Sequence, residues 1–214
     1  MPNFIMICGP QAVGKMTVGQ ELSRLTGYKL FYNHMTIEML RLIFDYDQKI
    51  FRKMNDIVRT EVFKEFVKSN EKGIVFTTCF DFGNELEEDK AFFEEWTKGF
   101  DNVYVLELEA DLDERLRRNK TENRLKHKES KRNLEWSEQD LLRSIQKHKL
   151  NSEPGQGEEL FENYIKINNT NILPEDVANI VMKKFDLWII EIRRVCNKYG
   201  RVFWCFKWKW RIYR

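Results

Sequence analysis

Residues 8–17 read CGPQAVGKMT, and this short stretch carries most of the information about the fold. Gly9 and Gly14 stand five positions apart, and Lys15 follows the second glycine directly. The apolar run NFIMIC precedes the stretch, and an amphipathic helical pattern follows it over 15–27. Glycines let the backbone curl so that its amide hydrogens point inward, and the next helix adds its positive N-terminal end. The pattern therefore predicts a strand, a phosphate-binding loop and a helix.

The composition is that of an ordinary globular α/β protein. The chain has 214 residues, of which 42% are apolar and 33% charged, so one domain with a real core is expected. Its four cysteines show no C-x-x-C spacing, which predicts reduced thiols rather than a zinc site or a disulfide framework. No apolar run reaches the length of a membrane span, and MPNFIMIC lacks the basic flank of a signal peptide. We therefore expect a cytoplasmic location.

Apolar runs alternate with helical patterns up to about residue 185, which is typical of βαβ units around a parallel sheet. The predicted strands cover 3–8, 29–33, 73–80, 102–109 and 164–168. The predicted helices cover 15–27, 36–44, 55–73, 86–98, 111–124, 137–150 and 174–186. These elements predict a three-layer sandwich with a five-stranded parallel sheet in a domain that spans residues 1–186.

Residues 187–214 form a basic, aromatic extension that differs from the rest of the chain. From residue 183 onward there are ten Lys or Arg against two acids. Alternation at period two predicts a β-hairpin with one aromatic and one cationic face: Phe206, Trp208, Trp210 and Ile212 against Lys207, Lys209, Arg211 and Tyr213. The aromatic face could pack on the domain or mediate self-association, and contact with a membrane or single-stranded nucleic acid remains open.

Met16 stands where a phosphate-binding loop usually has Ser or Thr. Adenylate kinases carry G-K-G-T, and GKMT at 14–17 is similar, with Thr17 in place of the usual hydroxyl. The stretch GPQAVGKMTVGQELSRLTGYKLFYNHMT resembles shikimate-kinase-like bacterial proteins of the P-loop superfamily of nucleoside-monophosphate and small-molecule kinases. The resemblance covers about residues 3–185, and it implies ATP and Mg²⁺ as cofactors.

The resemblance assigns roles to the loop. Lys15 is expected to bridge the β- and γ-phosphates, with the backbone amides of Ala12 to Thr17 around the β-phosphate and Thr17 near the metal. The nucleotide-binding residues that it implies in the loop are Gly9, Gln11, Ala12, Val13, Gly14, Lys15, Met16 and Thr17.

Further candidates lie near the carboxyl ends of the strands, where ligands of open parallel sheets bind. Asn33 and His34 follow strand two, and they stand where related kinases commonly hold an acid, so His34 is the candidate base; alternatively, Asn33 caps the next helix and His34 is only packed. Asp81 is the candidate for Mg²⁺ through water, or a turn residue. Arg59 resembles the acceptor-binding arginine of shikimate kinases, although a solvated helix position explains it equally well.

Residues 111–132 match the position of the lid in the resembled kinases. Nine Lys or Arg lie from Arg115 to Arg132. Arg117 is predicted to stack on adenine, with Arg118 as the alternate, and Arg124 to close over the transferring phosphate. A solvated basic helix, or one that contacts nucleic acid, is the other interpretation. Asn169 and Thr170, after strand five, are predicted to contact adenine or to form a simple turn.

The sequence thus predicts an ATP-dependent phosphotransferase that acts on a small metabolite or a nucleotide. The alternative is a non-catalytic ATP- or GTP-binding module whose basic lid and tail contact nucleic acid or membrane. The absence of an acid after strand two and the basic extension keep this alternative open.

Overall fold

The computed structural model describes residues 1–187 and the backbone of residues 191–196 and 202–207. Its main sheet has five strands in the order β2-β3-β1-β4-β5, and every neighbouring pair is parallel. The strands are β1 (Asn3–Cys8), β2 (Lys29–Tyr32), β3 (Gly73–Thr77), β4 (Val103–Glu109) and β5 (Tyr164–Asn168). The loops that follow β1, β2, β3 and β4 therefore meet at one edge of the sheet.

Helices connect the strands and cover both faces of the sheet. They are α1 (Lys15–Thr26), α2 (His34–Leu40), α3 (Lys49–Val67), α4 (Leu86–Thr97), α5 (Leu112–Asn119), α6 (Glu122–His127), α7 (Leu134–Lys147), α8 (Gln156–Leu160) and α9 (Pro174–Lys184). A short 3-10 helix over Glu129–Lys131 follows α6. Within the described part of the chain, no helix is both long and apolar enough to cross a membrane.

The core has two halves because successive strand residues point to opposite faces. On β1, Ile5 and Ile7 pack with apolar residues of α1 and α9. Phe4 and Met6 point the other way and pack with Phe63 of α3 and aromatic residues around α4. The central strand is buried on both faces, which confirms the predicted three-layer sandwich with a five-stranded parallel sheet.

Two predicted boundaries near the site were wrong. β3 ends at Thr77 rather than at residue 80, because β2 ends beside it at Tyr32 and β1 ends at Cys8, so no strand continues the ladder. The helix predicted over 111–124 is divided into α5 and α6. Lys120 and Thr121 separate them, and Thr121 is extended at the N-cap position of α6, with its hydroxyl donating back to the Arg118 carbonyl at 2.9 Å.

Other boundaries differ without affecting the topology. α3 begins at Lys49 and ends at Val67, earlier than the predicted 55–73, and Gly73 starts β3 instead of ending the helix. The short helix α8 was not predicted, because its five residues are too few to show a helical period.

The C-terminal extension contains the two predicted strands. β6 (Glu191–Cys196) and β7 (Val202–Lys207) pair antiparallel, with Glu191 opposite Lys207 and Cys196 opposite Val202. The predicted aromatic and cationic faces over residues 206–213 concern side chains that lie outside the described residues.

Candidate functional site

The loop between β1 and α1 curls because several of its residues have left-handed backbone conformations. Gly9 has φ of 128°, and a Cβ there would collide with the carbonyl oxygen of Leu108 in the adjacent strand β4. Gly14 has φ of 106° at the N-cap of α1, and Ala12 has φ of 59°. Such φ values favour glycine, so the two glycines of the motif serve the geometry of the loop.

The curled loop presents a row of N–H donors. Within residues 1–187, the backbone N–H groups from Ala12 to Thr17 donate no hydrogen bond to another protein group. The last three of them belong to the first turn of α1, where intrahelical acceptors are lacking and the helix dipole is positive. This arrangement binds anions, and phosphate groups in particular.

Lys15 folds back over the loop. Its Nζ donates to the carbonyl oxygens of Gly9 and, at 2.9 Å, Pro10, and it lies 3.5 Å from the Cys79 Sγ. The side chain is buried, and burial lowers its pKa from the ordinary value. An ammonium group held by carbonyl oxygens at the centre of the loop is available to exchange them for phosphate oxygens.

A single pocket surface contains the loop, the start of α2 and the inner side of α6. Its lining residues are Gln11, Ala12, Val13, Gly14, Lys15, Met16, Thr17, Asn33, His34, Cys79, Arg118, Thr121, Asn123, Arg124 and Lys128. Four of them are basic and none is an Asp or Glu. The structure therefore brings together all the predicted loop residues except Gly9, which shapes the loop from behind, with Asn33, His34 and Arg124.

The basic segment predicted as a lid lies over the loop. Arg124 of α6 is buried in the pocket, its Nε has no hydrogen-bond partner within the described residues, and burial lowers its pKa to about 10. Asn123, beside it, donates to the Thr17 hydroxyl at 3.4 Å and to Gln20. Burial also lowers the pKa of Lys128, one turn after Arg124, well below its ordinary value, and the charges of Arg124 and Lys15 lower it further.

Arg118, and not Arg117, is the arginine of α5 that faces the pocket. Its guanidinium donates to the Val13 carbonyl at 2.8 Å and to the Asn169 carbonyl at 2.8 Å, and its Nε bonds Glu114. Arg117 is exposed and pairs with Glu114 on the outer surface. Of the two predicted residues, the position of Arg118 fits a role in the pocket and that of Arg117 does not, and stacking on adenine stays a prediction. The reason is helical rotation, because positions 115 and 118 of α5 face the loop, where Arg115 donates to the Gln11 carbonyl at 2.9 Å, whereas position 117 faces solvent.

Asn169 and Thr170 lie behind Arg118 and do not line the pocket. The Asn169 amide donates to the Val13 carbonyl at 3.0 Å and is itself buried. The Thr170 hydroxyl is engaged by Asn168 and by the N–H of Asp111. Both residues fix the turn after β5 against the loop, and contact with adenine stays a prediction.

Asp81 does not line the pocket, which argues against the predicted role at Mg²⁺. Its carboxylate lies 2.9 Å from His148 Nδ1 and accepts from the N–H groups of Gly83 and Lys149. The turn-residue interpretation therefore fits the contacts. The early end of β3 is the cause, because it leaves Cys79 facing the pocket and carries Asp81 away toward α7.

Arg59 also lies outside the pocket lining. It is buried beneath the start of α2, where it donates to the Thr36 hydroxyl at 3.2 Å and to the Asn33 carbonyl at 3.3 Å. Its guanidinium lies 5.7 Å from the centre of the Phe76 ring. These contacts hold the backbone of Asn33 in place, so they support neither the predicted acceptor contact nor a solvated position. Asn33 itself does not cap α2 through its side chain.

Sequence reasoning missed Cys79, Thr121, Asn123 and Lys128 as pocket residues. For Lys128 a signal existed, because Arg124 and Lys128 are four positions apart and fall on one side of a helix. For Cys79 there was none, since its exposure depends on where β3 ends. For Thr121 and Asn123 the break between α5 and α6 was the missing information.

His34 is buried at the pocket edge, and its Nδ1 lies 3.0 Å from the Glu38 carboxylate one turn along α2. Burial is the main cause that lowers the pKa of His34, the contact with Glu38 opposes it, and with smaller contributions from Lys128 and Lys131 the pKa is about 3. The imidazole is therefore neutral at physiological pH.

The burial of His34 makes stability depend on pH. We expect the free energy of unfolding to fall by about 2 kcal/mol from about pH 7 to about pH 5 through His34. The unfolded chain takes up the proton below its ordinary pKa of ~6.5, whereas the folded chain does so only near pH 3. The contribution of neutral His34 to the free energy of unfolding is therefore complete above a pH of ~6.5, and it is lost as the pH falls toward the pKa of the folded state. Urea unfolding of the wild type and His34→Gln measures this, and identical pH dependence in both would contradict it.

No family model matches the chain, and no curated protein matches it in sequence. Solved structures do match. A sugar kinase from Janibacter sp. HTCC2649 has a TM-score of 0.58 at 14% identity, over 87% of this chain and 96% of that one. Shikimate kinase from Acinetobacter baumannii, in complex with shikimate, has a TM-score of 0.53 at 18% identity, over 86% and 93%. A gluconokinase from Sinorhizobium meliloti 1021 has a TM-score of 0.51 at 12% identity, over 86% and 92%. At these identities the likeness concerns the fold, and the chain therefore has the fold of the P-loop small-molecule kinases that its phosphate loop resembles.

Proposed function

We propose that this protein is an ATP-dependent phosphotransferase that acts on a small molecule with a hydroxyl or phosphate group. The observation that supports it best is the charge of the pocket. Lys15, Arg124 and Lys128 converge on the loop, and none of them forms an ion pair with a carboxylate anywhere in residues 1–187. Buried cations need compensation, and a bound triphosphate supplies it.

The loop and the lid segment would have different roles in phosphoryl transfer. The N–H groups from Ala12 to Thr17 and the start of α1 would hold the β-phosphate, and Lys15 would reach the β- and γ-phosphates. Arg124 would stabilise the charge that gathers on the transferring group, since it approaches the loop from the opposite side. Arg118 would support the base of the nucleotide, because its guanidinium lines the pocket and is held by the carbonyls of Val13 and Asn169.

A divalent cation fits this pocket only in part. Thr17 supplies a hydroxyl beside Lys15, but no carboxylate lines the pocket. Mg²⁺ keeps several waters and binds through few protein groups together with substrate phosphates, so Thr17 would be its protein contact. The ion would neutralise phosphate charge when bound. The resemblance of GKMT to the adenylate-kinase loop thus agrees with the position of Thr17, while Asp81 has no part in the proposal.

The acceptor would bind beside Asn33 and His34. Both lie at the edge of the pocket after β2, beside the lid segment, so a hydroxyl group there would lie near the end of a triphosphate on the loop. The sugar kinase, shikimate kinase and gluconokinase with the same fold are named for hydroxyl-bearing small molecules. We propose an acceptor of this chemical class.

The test starts with nucleotide binding and proceeds to transfer. We expect Mg-ATP to bind and to raise the melting temperature, because a ligand that binds only the folded state stabilises it. Radiolabelled ATP is then incubated with a panel of sugars, sugar acids, shikimate and nucleoside monophosphates, and a labelled product is expected from one of them.

Two negative results have different meanings. Absence of any binding of ATP or GTP at millimolar concentration would overturn the proposal as a whole. Tight binding without transfer to any acceptor of a broad metabolite mixture would favour the non-catalytic nucleotide-binding module.

A further inference from the structure

Glu38 of α2 connects His34 to the lid segment. Its carboxylate lies one helical turn after His34, and its Oε1 is 3.0 Å from His34 Nδ1. The other ring nitrogen, Nε2, has no hydrogen-bond partner among residues 1–187. Since His34 lines the pocket, one nitrogen of the imidazole is committed to Glu38 and the other is free for a ligand.

The same carboxylate is held by the segment over the pocket. Ser130, in the 3-10 helix after α6, donates its hydroxyl to Glu38 Oε1 at 2.5 Å and its backbone N–H to Oε2 at 3.2 Å. Arg41 donates to Oε2 at 2.9 Å from the solvent side. One carboxylate, on a side chain that is 20% exposed, thus joins α2 to the lid segment across 92 positions of sequence.

The charges around this contact fix the protonation states. Around His34 are Glu38 from its own helix and Lys128 and Lys131 from the lid segment, and Arg41 faces Glu38. Burial is the main cause that lowers the pKa of His34 to about 3. The pKa of Glu38 is also low, about 2, because the contacts with His34, Ser130 and Arg41 outweigh its desolvation. A neutral imidazole beside an ionised carboxylate carries its proton on Nδ1, so Nε2 presents a lone pair.

We propose that Glu38 is a positioning residue that holds His34 in the Nδ1–H tautomer, with Nε2 toward the acceptor, and that its contact with Ser130 ties this tautomer to the closed lid segment. This inference rests on the proposed phosphotransferase function. The arrangement is the one in which a carboxylate accepts a hydrogen bond from Nδ1 of a histidine base and thereby orients the ring.

The proton balance of the transfer step follows from this geometry. The acceptor hydroxyl donates a hydrogen bond to His34 Nε2. As its oxygen bonds to the γ-phosphorus, the bond to the β–γ bridging oxygen breaks and its electron pair leaves with ADP. The proton passes to Nε2, Glu38 stabilises the imidazolium, and the proton is then released to water. In a loose transition state this proton moves late, so a weakly basic imidazole suffices.

The tautomer is measured directly by NMR of ¹⁵N-histidine-labelled protein. The chain has three histidines, so the His34 signals are assigned by their loss in His34→Gln. We expect the wild type to show Nδ1 protonated and Nε2 unprotonated at neutral pH, and Glu38→Gln to show a mixture of both tautomers. An Nε2–H tautomer in the wild type, or no change in Glu38→Gln, overturns the proposal.

The kinetic readout uses Mg-ATP with water as the acceptor. We expect Glu38→Gln to lower the rate of ATP hydrolysis about tenfold, since it removes the orientation of a base but not the base. The Kd for a non-hydrolysable ATP analogue is expected to stay within about twofold, because Glu38 is not a phosphate contact. A change in Kd that accounts for the whole effect would assign Glu38 to nucleotide binding and overturn the inference.

Arg41→Gln is the matched control. It removes the solvent-side contact of Glu38 and leaves the contacts with His34 and Ser130, so hydrolysis is expected to be unchanged. An equal loss in both variants would show that Glu38 serves only to stabilise α2. If Glu38→Gln does not fold, Ser130→Ala removes only the hydroxyl of the lid segment, and a smaller loss at constant Kd is expected.

Failure of this inference is distinguishable from failure of the proposed function. A wild type that does not bind Mg-ATP contradicts the phosphotransferase. A wild type that binds and hydrolyses ATP, with unaltered kinetics and tautomer in Glu38→Gln, contradicts only the role of Glu38.

Discussion

Lys15→Ala is expected to lower phosphoryl transfer at least about a hundredfold, a loss on the order of 3 kcal/mol in transition-state stabilisation. In the proposed function the ammonium group acts on charge that develops during transfer, so the loss should fall mainly on turnover. It can be measured as ATP hydrolysis with water as the acceptor, or as ADP release once an acceptor is known.

The fold of Lys15→Ala is expected to survive. Lys15 donates to two carbonyl oxygens of its own loop, and no contact with a carboxylate is found within the described residues. Because burial lowers the pKa of Lys15, the charged form is held at a cost in the free protein. Removal of the side chain relieves that cost, which offsets the lost hydrogen bonds.

Lys29→Ala is the control for this experiment. Lys29 lies on β2 with an exposed side chain that pairs with Glu71, away from the pocket. Both variants should unfold at a similar temperature, and only Lys15→Ala should lose transfer. If Lys15→Ala turns over within a few-fold of the wild-type rate, the proposed catalytic role of the loop is contradicted.

The fold could be predicted because its determinants are local. The apolar periodicity and the glycine spacing within residues 3–27 predict the strand, the loop and the helix there. The alternation of strands and helices along the chain predicts a parallel sheet. Gly9 illustrates the limit, because the reason for that glycine is the carbonyl of Leu108 in a strand about a hundred residues away. The sequence indicated that a glycine was needed there, and only the packing of β1 against β4 gives the cause.

The candidate site could be predicted at the phosphate loop and at Asn33, His34 and Arg124, but not at the other positions around it. The sequence pattern extends β3 by three residues and so places Asp81 at the metal, and a shift of that size changes which side chain reaches the pocket. Arg117 and Arg118 are neighbours in sequence, and only the rotation of α5 separates them. The contact of Glu38 with His34 follows the four-residue helical spacing, whereas its contact with Ser130 is distant in sequence and gave no signal. Such contacts depend on tertiary packing, which periodicity does not report.

Arg124→Ala is expected to have the second largest effect, a decrease in turnover of roughly a hundredfold. Arg124 is buried over the loop on α6, and its Nε lacks a hydrogen-bond partner within the described residues. A cation that approaches the loop from the lid side is needed chiefly while the γ-phosphate is in transit. Affinity for an ATP analogue should therefore fall much less than turnover.

Lys126→Ala tests whether the loss of turnover in Arg124→Ala is due to the position of Arg124 over the loop or to the loss of one positive charge from the lid segment. Lys126 lies two residues further along α6 and is exposed, so it carries the same charge without facing the loop. Turnover of Lys126→Ala should remain close to that of the wild type. Equal losses in the two variants would indicate a general electrostatic effect of the basic segment.

Hydrogen exchange over residues 115–132 separates a lid from a nucleic-acid surface. As a lid, the segment gains protection when an ATP analogue binds, because phosphates bring Arg124 and Lys128 together despite their mutual repulsion. As a nucleic-acid surface, it would instead bind oligonucleotides with a steep salt dependence, and substitutions such as Lys126→Ala would weaken that binding without altering ATP turnover. Unchanged exchange on binding of the analogue would refute the lid, and the closed arrangement of α6 would then be a fixed wall of the pocket.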